Sequence, residues 1–550
     1  MNHQGMKEQI DKLLLDLIGI KSDTGTVFEQ SIESYIYEWL SRLEYFRHHS
    51  EHFGLYQLEN DPLERSIVWA LAKGNGKKTV ILLHHHDVVD ALDYGRLIPW
   101  AYDPVQLSIK LSQTEVGKEV KDDIESGEWI FARGSADMKA GAAIQMALLE
   151  EYSKQKELYG NVLLLSVPDE ESLSTGMRQS LKLLEVVKKT YDLDYTLLID
   201  SEPHQREDGH TGILYGGSVG KLMPVIYVRG KKTHIGDIYE GFNPILLLSK
   251  IVEEVELNTE FSDVVGNEVS PPPSWSYCRD RKVNYDASIP QSAGGYFSIL
   301  TLNRTPKTIL NQLQHICTKA FQEIVNRTKK NYEIYLIKGH QNIKELPWKV
   351  NVKTFAEIYQ EAMDNSGKAF IEDFKESLTK LKNDIDSCKI NITEGTFVMI
   401  EKTLEYTTNS DPVIVIAFSP PFYPHVSNAL SEKVTNKLSK LLTQINNMTQ
   451  KEWQENYVMK DYFMGISDMS YVMLQQRDEV IPYIGLNMPL WKSMYDISFE
   501  TMERLSIPII NIGPWGKDLH KLTERVYKPD VYSRIPKILS DTIEFAFRNL

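Results

Sequence analysis

The stretch KKTVILLHHHDVV, residues 77–89, has the apolar character of a buried strand and ends in histidines and an acid. An Asn-Gly turn separates it from another strand-like stretch, SIVWALAKG at 66–74. Helical periodicity follows at 135–154, and apolar runs ending in acid follow at 161–170 and 195–203. Alternating strands and helices predict an α/β domain with a mixed, mainly parallel sheet and helices on both faces. Functional side chains in such sheets lie at the carboxyl ends of strands.

The three histidines of this stretch allow two alternative pairs. Side chains two residues apart on a strand share a face, so either His84 and His86 or His85 and Asp87 lie together. The second pair is attractive because a metal-bound imidazole commonly has a carboxylate nearby that orients it. Taken alone, each pair is more often a structural feature of a buried strand, so the choice stays open at this point.

A second domain is expected within the first. After Gly220 the pattern strand, helix, strand, helix predicts a small α+β unit, with a helix at 307–327. We therefore predict a main α/β domain formed by two separate segments, 1–220 and 421–550. Between them we predict an inserted domain at 221–420, with extra helical structure near 341–405.

Composition limits the classes of partner. The 550 residues include 61 Lys and Arg against 76 Asp and Glu, a net charge of −15, which argues against nucleic-acid or membrane-surface binding. Three cysteines without CxxC spacing indicate neither a disulfide framework nor a thiolate zinc site. Neither a signal peptide nor an apolar run of about 18 residues is evident. We expect a cytoplasmic protein that acts on small molecules or peptides.

Several acids and a late histidine follow predicted strands. Asp137 lies in RGSADMKAG, Glu170 and Glu171 in VPDEES, Glu202 in DSEPH, and His520 in IPIINIGPWGKDLHKLTE. Each carboxylate alone is explained by a solvated strand end. Their recurrence at one expected sheet edge favours a metal or catalytic site.

The whole set resembles the zinc aminoacylase, carboxypeptidase and desuccinylase family of co-catalytic metallopeptidases. The motifs are His-x-Asp-Val-Val, Gly-x-x-Asp-Met-Lys, a Glu-Glu pair after a buried strand, Glu-Pro, a histidine in the insert, and Gly-Pro followed by His. All six occur in this order between residues 85 and 520. The length and the insert look most like the arginine-utilisation (RocB-type) branch. The resemblance implies that segments 1–220 and 421–550 form the catalytic domain and that the insert at 221–420 is a lid and dimerisation domain.

This resemblance implies two divalent metal ions per chain, with zinc as the first expectation and cobalt or manganese as alternatives. Asp137 would bridge the two ions. His85 and Glu202 would complete one ion, and Glu171 and His520 the other.

The resemblance also assigns catalytic roles. Asp87 would orient His85, and Glu170 would be the general base that takes a proton from the attacking water. His234, in KKTHIGDIYEGFNP, would stabilise the oxyanion, often across a homodimer interface.

Two further residues are candidates for substrate binding. Arg304 follows an insert strand and would meet a substrate carboxylate, with a salt bridge inside the insert as the alternative. Asp468 would line the pocket, with an ordinary helix N-cap as the alternative.

The expected function is therefore metal-dependent hydrolysis of an amide bond in an N-acyl amino acid or small peptide, with an arginine-related substrate plausible. One alternative is a catalytically inert amino-acid or peptide-binding protein that retains the fold. Another is an adaptor that docks a protein through the charged helical stretch at 354–388.

Overall fold

Two units make up the chain in the computed structural model, which describes residues 3–206 and 208–550. Unit 1 consists of the segments Met1–Ser218, Val426–Leu474 and Ser498–Leu550. Unit 2 consists of the segments Val219–His425 and Gln475–Ile497. The sequence predicts a return to the first domain for all of residues 421–550. Residues 475–497 lie instead in unit 2, where Oδ1 of Asn487 accepts a hydrogen bond from the backbone N–H of Ala356 (3.1 Å).

The central sheet of unit 1 is mixed, with a parallel middle. Its strands in spatial order are Phe53–Gln57, Ser66–Ala72, Asn161–Val167, Lys78–His85, Asp194–Asp200, Ile509–Asn511, Gly212–Tyr215 and Tyr457–Lys460. The strands from Asn161–Val167 to Ile509–Asn511 run parallel to one another. The predicted mixed, mainly parallel sheet is confirmed.

The two strands that flank the Asn-Gly turn are separated in the sheet. Asn161–Val167 lies between them, antiparallel to Ser66–Ala72 and parallel to Lys78–His85. Every residue of Asn161–Val167 is buried, as expected of a strand that is paired on both edges and covered on both faces. The turn therefore joins next-nearest neighbours and not the strands of a hairpin.

Both faces of this sheet are covered. Val80 and Leu82 belong to a core shared with helices, and Ile81 and Leu83, which point to the other face, are equally buried at 0% exposure. Each such side chain contributes about 1.5–3 kcal/mol by leaving water.

The helices of unit 1 are His3–Gly19, Glu29–Arg42, Glu44–His48, Pro104–Ser112, Lys118–Ser126, Ala140–Ser153, Thr175–Thr190, Glu432–Trp453, Phe499–Leu505 and Ile535–Asn549.

Smaller sheets and one late helix complete unit 1. A three-stranded sheet contains Gly516–Lys517, Arg525–Tyr527 and Trp129–Phe131, and a short pair contains Gly217–Ser218 and Val426–Ser427. The helix Glu432–Trp453 begins after Ser431, whose hydroxyl caps it by accepting a hydrogen bond from the backbone N–H of Val434.

Unit 2 is a predominantly antiparallel sheet covered by long helices. Its strands in spatial order are Ser274–Asp280, Ser292–Thr301, Pro224–Arg229, Val413–Phe418 and Val352–Thr354, with Gly220–Leu222 paired to Ser292–Thr301. Its helices are Pro244–Val255, Pro306–Lys338, Phe355–Asp386, Ile392–Leu404 and Arg477–Asn487. The helix predicted at 307–327 thus continues to Lys338, and the charged stretch at 354–388 is helical as predicted.

A membrane span would need a long and strongly apolar helix. Within the described ranges 3–206 and 208–550, none of the helices meets that requirement.

Candidate metal centre

The ends of neighbouring strands in unit 1 bring the predicted ligands together. His85 ends one parallel strand, Glu170 and Glu171 follow the strand on one side of it, and Glu202 follows the strand on the other side. His520 comes from the chain after the next strand along. The carboxyl ends of parallel neighbours meet at one edge, which is where α/β proteins place their ligand sites.

Asp137 stands between the two histidines. Its Oδ1 is 3.0 Å from Nε2 of His85, and its Oδ2 is 3.3 Å from Nε2 of His520. Oε1 of Glu202 is 3.4 Å from Nε2 of His85, and Oε2 of Glu171 is 3.1 Å from Nε2 of His520. Asp137 is therefore shared by two groups of side chains, His85 with Glu202 and His520 with Glu171. We call the following six residues the strand-end cluster: His85, Asp137, Glu170, Glu171, Glu202 and His520.

Asp87 contacts both His85 and the loop of residues 169–171, the acidic loop. Nδ1 of His85 lies 2.9 Å from the backbone oxygen of Asp87 and 3.6 Å from its Oδ1. The carboxylate oxygens of Asp87 accept hydrogen bonds from the backbone N–H groups of Glu170 and Glu171, each at 3.1 Å. A proton on Nδ1 leaves the lone pair on Nε2 of His85 directed at the cluster.

His84 and His86 lie outside the cluster. Nδ1 of His84 is 3.0 Å from Oε1 of Gln145, and Nδ1 of His86 is 2.9 Å from Oγ of Ser166. Both imidazoles are buried in these contacts. Of the two pairs that the sequence leaves open, the structure brings His85 and Asp87 to the cluster.

A buried ion-pair network supports the acidic loop 169–171, and the sequence analysis missed it. Oε2 of Glu29 accepts a hydrogen bond from the backbone N–H of Asp169 (3.0 Å), so carboxylates bind three consecutive N–H groups of this loop. Nη1 of Arg65 lies 2.9 Å from both Glu29 and Asp169. The pair Arg65 and Asp169 is separated by 104 positions, so no local pattern could have revealed it.

Glu524 supports Asp137 through the backbone, a role the sequence analysis did not assign. Its Oε1 accepts hydrogen bonds from the N–H groups of Ala136 (3.1 Å) and Asp137 (3.3 Å). Its Oε2 is 2.9 Å from Nη1 of the buried Arg133. Burial raises the pKa of Glu524 to about 7 against the lowering effect of Arg133. The loop that presents Asp137 is therefore fixed from a distant segment of the chain.

The strand-end cluster carries an excess of buried negative charge. Burial, followed by the charge of Asp137, raises the pKa values of Glu171 and Glu202. Burial lowers the pKa of His85, but hydrogen bonds to neighbouring carboxylates outweigh it and raise that pKa well above its ordinary value. Contacts with Asp137 and Glu171 raise the pKa of His520 to about 11. Positive charge placed among these carboxylates would stabilise their ionised forms.

The donors of the cluster fit divalent transition-metal ions. Imidazole nitrogens and carboxylate oxygens are zinc ligands, and two such atoms at about 2.0–2.1 Å from one tetrahedral ion lie about 3.3–3.4 Å apart. The four contacts made by His85 and His520 span 3.0 to 3.4 Å. In addition, Oε1 of Glu171 is buried without a hydrogen-bond partner, and an ion would satisfy it.

Glu170 lies beside the donors but further from His85. Its Oε2 is 4.0 Å from Nε2 of His85. Burial raises the pKa of Glu170 well above its usual value; His85 opposes this shift, and the charges of Asp468 and Glu202 add to it. A carboxyl group whose pKa is raised by burial is suited to both accepting and returning a proton.

Asp468 belongs to the same buried region of unit 1. The cap of its short 3-10 helix is Ser467, whose Oγ accepts from the backbone N–H of Met469 (3.1 Å), so the N-cap alternative for Asp468 is wrong. Burial raises the pKa of Asp468 to about 8, although Ser174 and His85 lower it. Its substrate-binding role stays a prediction.

The two candidates in unit 2 make contacts within that unit. Nε of Arg304 is 2.6 Å from Oδ1 of Asp263, which is the salt-bridge alternative, and its Nη1 donates to Gln312 (2.7 Å). His234 is exposed, and its Nδ1 accepts from the backbone N–H of Gly236 (3.1 Å). Their roles toward a substrate stay predictions.

A mixed α/β sheet that gathers histidines and acids at its strand ends has zinc-type ligands at the edge where α/β proteins bind their ligands. The model of Peptidase family M20/M25/M40 matches residues 110–493, and the chain belongs to this family. The resemblance drawn from the sequence motifs is thereby confirmed.

Two full-length relatives and one solved structure accompany this match. Protein RocB of Bacillus subtilis (strain 168) is 31% identical over 549 residues, which cover 98% of this chain and 95% of RocB. Protein YqjN of the same strain is 32% identical over 548 residues, which cover 99% and 97%. A tripeptidase of Staphylococcus aureus has a TM-score of 0.51 at 12% identity, with 98% of this chain and 99% of that chain covered. The last likeness shows the fold alone.

Proposed function

We propose that this chain hydrolyses the amide bond of an N-acyl amino acid or small peptide, with two divalent metal ions held by the strand-end cluster. The observation that carries the proposal is the position of Asp137, whose two oxygens face different histidines. Asp137 would bridge the ions, with His85 and Glu202 on one ion and Glu171 and His520 on the other. Zinc is the first choice for this donor set, and cobalt or manganese are the alternatives.

Each residue of the site would have a separate role in the hydrolysis. Divalent cations supply Lewis acidity toward a carbonyl group and toward water. Oε2 of Glu170 takes a proton from the attacking water and returns it to the leaving amine nitrogen. Asp87 holds the imidazole of His85 in place. The side chain of His520 is 50% exposed while its partners are buried, which supports approach of the substrate from the His520 side.

The proposal also assigns residues that would recognise the substrate. An arginine-related substrate is supported by the length of the chain and by the insert, which look most like those of the arginine-utilisation (RocB-type) branch. Asp468 would contact the substrate within unit 1, and Arg304 would have to exchange its bond to Asp263 for a substrate carboxylate. His234 would donate to the oxyanion, and a homodimer through unit 2 would bring it from the second subunit.

A substrate panel tests the activity. Protein loaded with zinc, manganese or cobalt is incubated with N-acyl amino acids and dipeptides, including N-acyl arginine, and released amine is quantified. We expect turnover with at least one class. Protein that holds two ions per chain and yet cleaves nothing on the panel would contradict the enzyme proposal. Saturable binding of the same compounds without cleavage would then support an inert binding protein.

A further inference from the structure

A second group of histidine and glutamate side chains lies next to the edge strand of the central sheet. His49, Glu51 and His52, named the edge cluster below, precede the edge strand Phe53–Gln57. Oε1 of Glu51 is 3.6 Å from Nδ1 of His49 and 3.7 Å from Nε2 of His52. Potential ligand atoms of all three residues lie within 4.8 Å of one another. Three donors of metal-binding type therefore converge on one point.

The backbone turn holds the two imidazoles face to face. The backbone N–H of His52 donates to the C=O of His49 (3.0 Å), and in such a 3-10 turn residues three apart lie on the same side. The rings of His49 and His52 stack with centroids 5.1 Å and planes 12° apart. Tyr45 flanks His49 at 4.7 Å, and Tyr191 meets His52 edge-on at 5.1 Å. These aromatic contacts restrict the rotation of both ligands before any ion binds.

The ring of His52 is also oriented by a hydrogen bond. Its Nδ1 is 2.9 Å from Oη of Tyr45, an oxygen that also accepts from the backbone N–H of Lys73 (3.0 Å). A proton on Nδ1 donated to Tyr45 leaves the lone pair of Nε2 facing Glu51, which is how metal-binding histidines are usually arranged. Burial lowers the pKa of His52. The neutral imidazole is the form that binds a metal ion.

We propose that the edge cluster binds one divalent transition-metal ion through His49, Glu51 and His52, independently of the strand-end cluster. Two imidazoles and one carboxylate favour zinc, nickel or copper over magnesium and calcium, which prefer oxygen ligands. Glu51 is 60% and His49 is 45% exposed, so water completes the coordination. The ion would join both ends of the turn and stabilise the start of the edge strand.

Metal content distinguishes this site from the strand-end cluster. Wild type, His49→Ala and His52→Ala are dialysed against zinc and analysed for zinc per chain. The matched control is His48→Ala, which removes the neighbouring exposed histidine that is not a member of the cluster. We expect wild type and His48→Ala to retain one ion more than His49→Ala or His52→Ala. In a zinc titration, Glu51→Gln should weaken the same binding step about tenfold.

The result is a difference in zinc content between wild type and variants, so it does not depend on how many ions the strand-end cluster retains. Equal zinc content in all four proteins overturns the proposal. An equal loss in His48→Ala also overturns it, since surface histidines would then bind zinc without a defined site. Circular dichroism in chelator checks folding. If His52→Ala does not fold, the partly exposed His49 still decides the outcome through His49→Ala.

Discussion

The strand-end cluster and the edge cluster use the same side-chain types at opposite ends of one sheet. The donors of the strand-end cluster come from separate strands and loops, and Asp87 and Glu524 fix two of them through further hydrogen bonds. The donors of the edge cluster come from one turn, and Glu51 is exposed. Donor type alone therefore does not define what a metal site can do. Catalysis depends on donors held by rigid, independent elements, whereas a local chelate can bind an ion without activating a substrate.

The largest expected effect separates catalysis from binding at the strand-end cluster. Glu170→Gln removes the proton acceptor but keeps the shape of the side chain, so kcat should fall by about 100-fold or more. Zinc content should stay near that of wild type, because Glu170 is 4.0 Å from Nε2 of His85 whereas the proposed ligands Asp137 and Glu202 are at 3.0 and 3.4 Å. Steady-state kinetics and elemental analysis measure both. Glu33→Gln, the same change at another buried glutamate, should retain activity. Turnover that survives Glu170→Gln would refute its assignment as the base.

The second effect concerns metal occupancy. His85→Ala removes a proposed ligand and should lower zinc content by at least one ion per chain, with loss of turnover. His84→Ala, the matched change one residue earlier, should disturb packing around Gln145 and leave the zinc content unchanged. Elemental analysis of both proteins after identical dialysis is the measurement. The reverse result would mean that His84 and His86 form the chelate.

A third, smaller effect tests how the acidic loop is held. Glu29→Gln keeps the volume of the side chain but weakens its bonds to Arg65 and to the backbone of Asp169. We expect kcat to fall about tenfold, which corresponds to the loss of about 1.4 kcal/mol of transition-state stabilisation, with KM and zinc content little changed. Glu38→Gln, on the exposed side of the same helix, is the control. An unchanged kcat would show that the loop does not depend on Glu29.

The last comparison of the two clusters concerns stability. An ion present at 100 times its Kd stabilises a folded protein by about 2.7 kcal/mol, so adding chelator should lower the Tm of the metal-loaded protein. His85→Ala should remove most of that chelator-dependent shift, and His49→Ala only a minor fraction, with turnover unaffected by the latter. Differential scanning calorimetry with and without chelator decides this. A larger contribution from His49 would invert the comparison.

The strand-end cluster was predictable because the same residues mark the strands and the site. Apolar runs that end in His85, Glu171 or Glu202 identify both a buried strand and the edge at which its last side chains meet. The pairing of His85 with Asp87 needed more than the alternation of the strand, since alternation allowed two pairs. The order of the motifs along the chain supplied that choice.

Other features depend on contacts between distant segments of the chain. Glu29 and Arg65 meet Asp169 across the fold, and neither has a local pattern that marks it as support for a loop. Residues 475–497 join unit 2 through contacts such as that of Asn487 with Ala356, which periodicity alone cannot show. Separation in sequence is thus what limited the prediction.

The position of strand Ile509–Asn511 has a consequence for biosynthesis. It lies between Asp194–Asp200 and Gly212–Tyr215, so it pairs with residues about 300 positions earlier, a long-range contact of the kind that slows folding. About 300 further residues must be synthesised after Asp194–Asp200 before this gap in the sheet is filled. Until then two strand edges are available to other chains, which makes the nascent protein prone to aggregation. His520 follows the same strand, so the strand-end cluster is completed only after residue 520 has been synthesised.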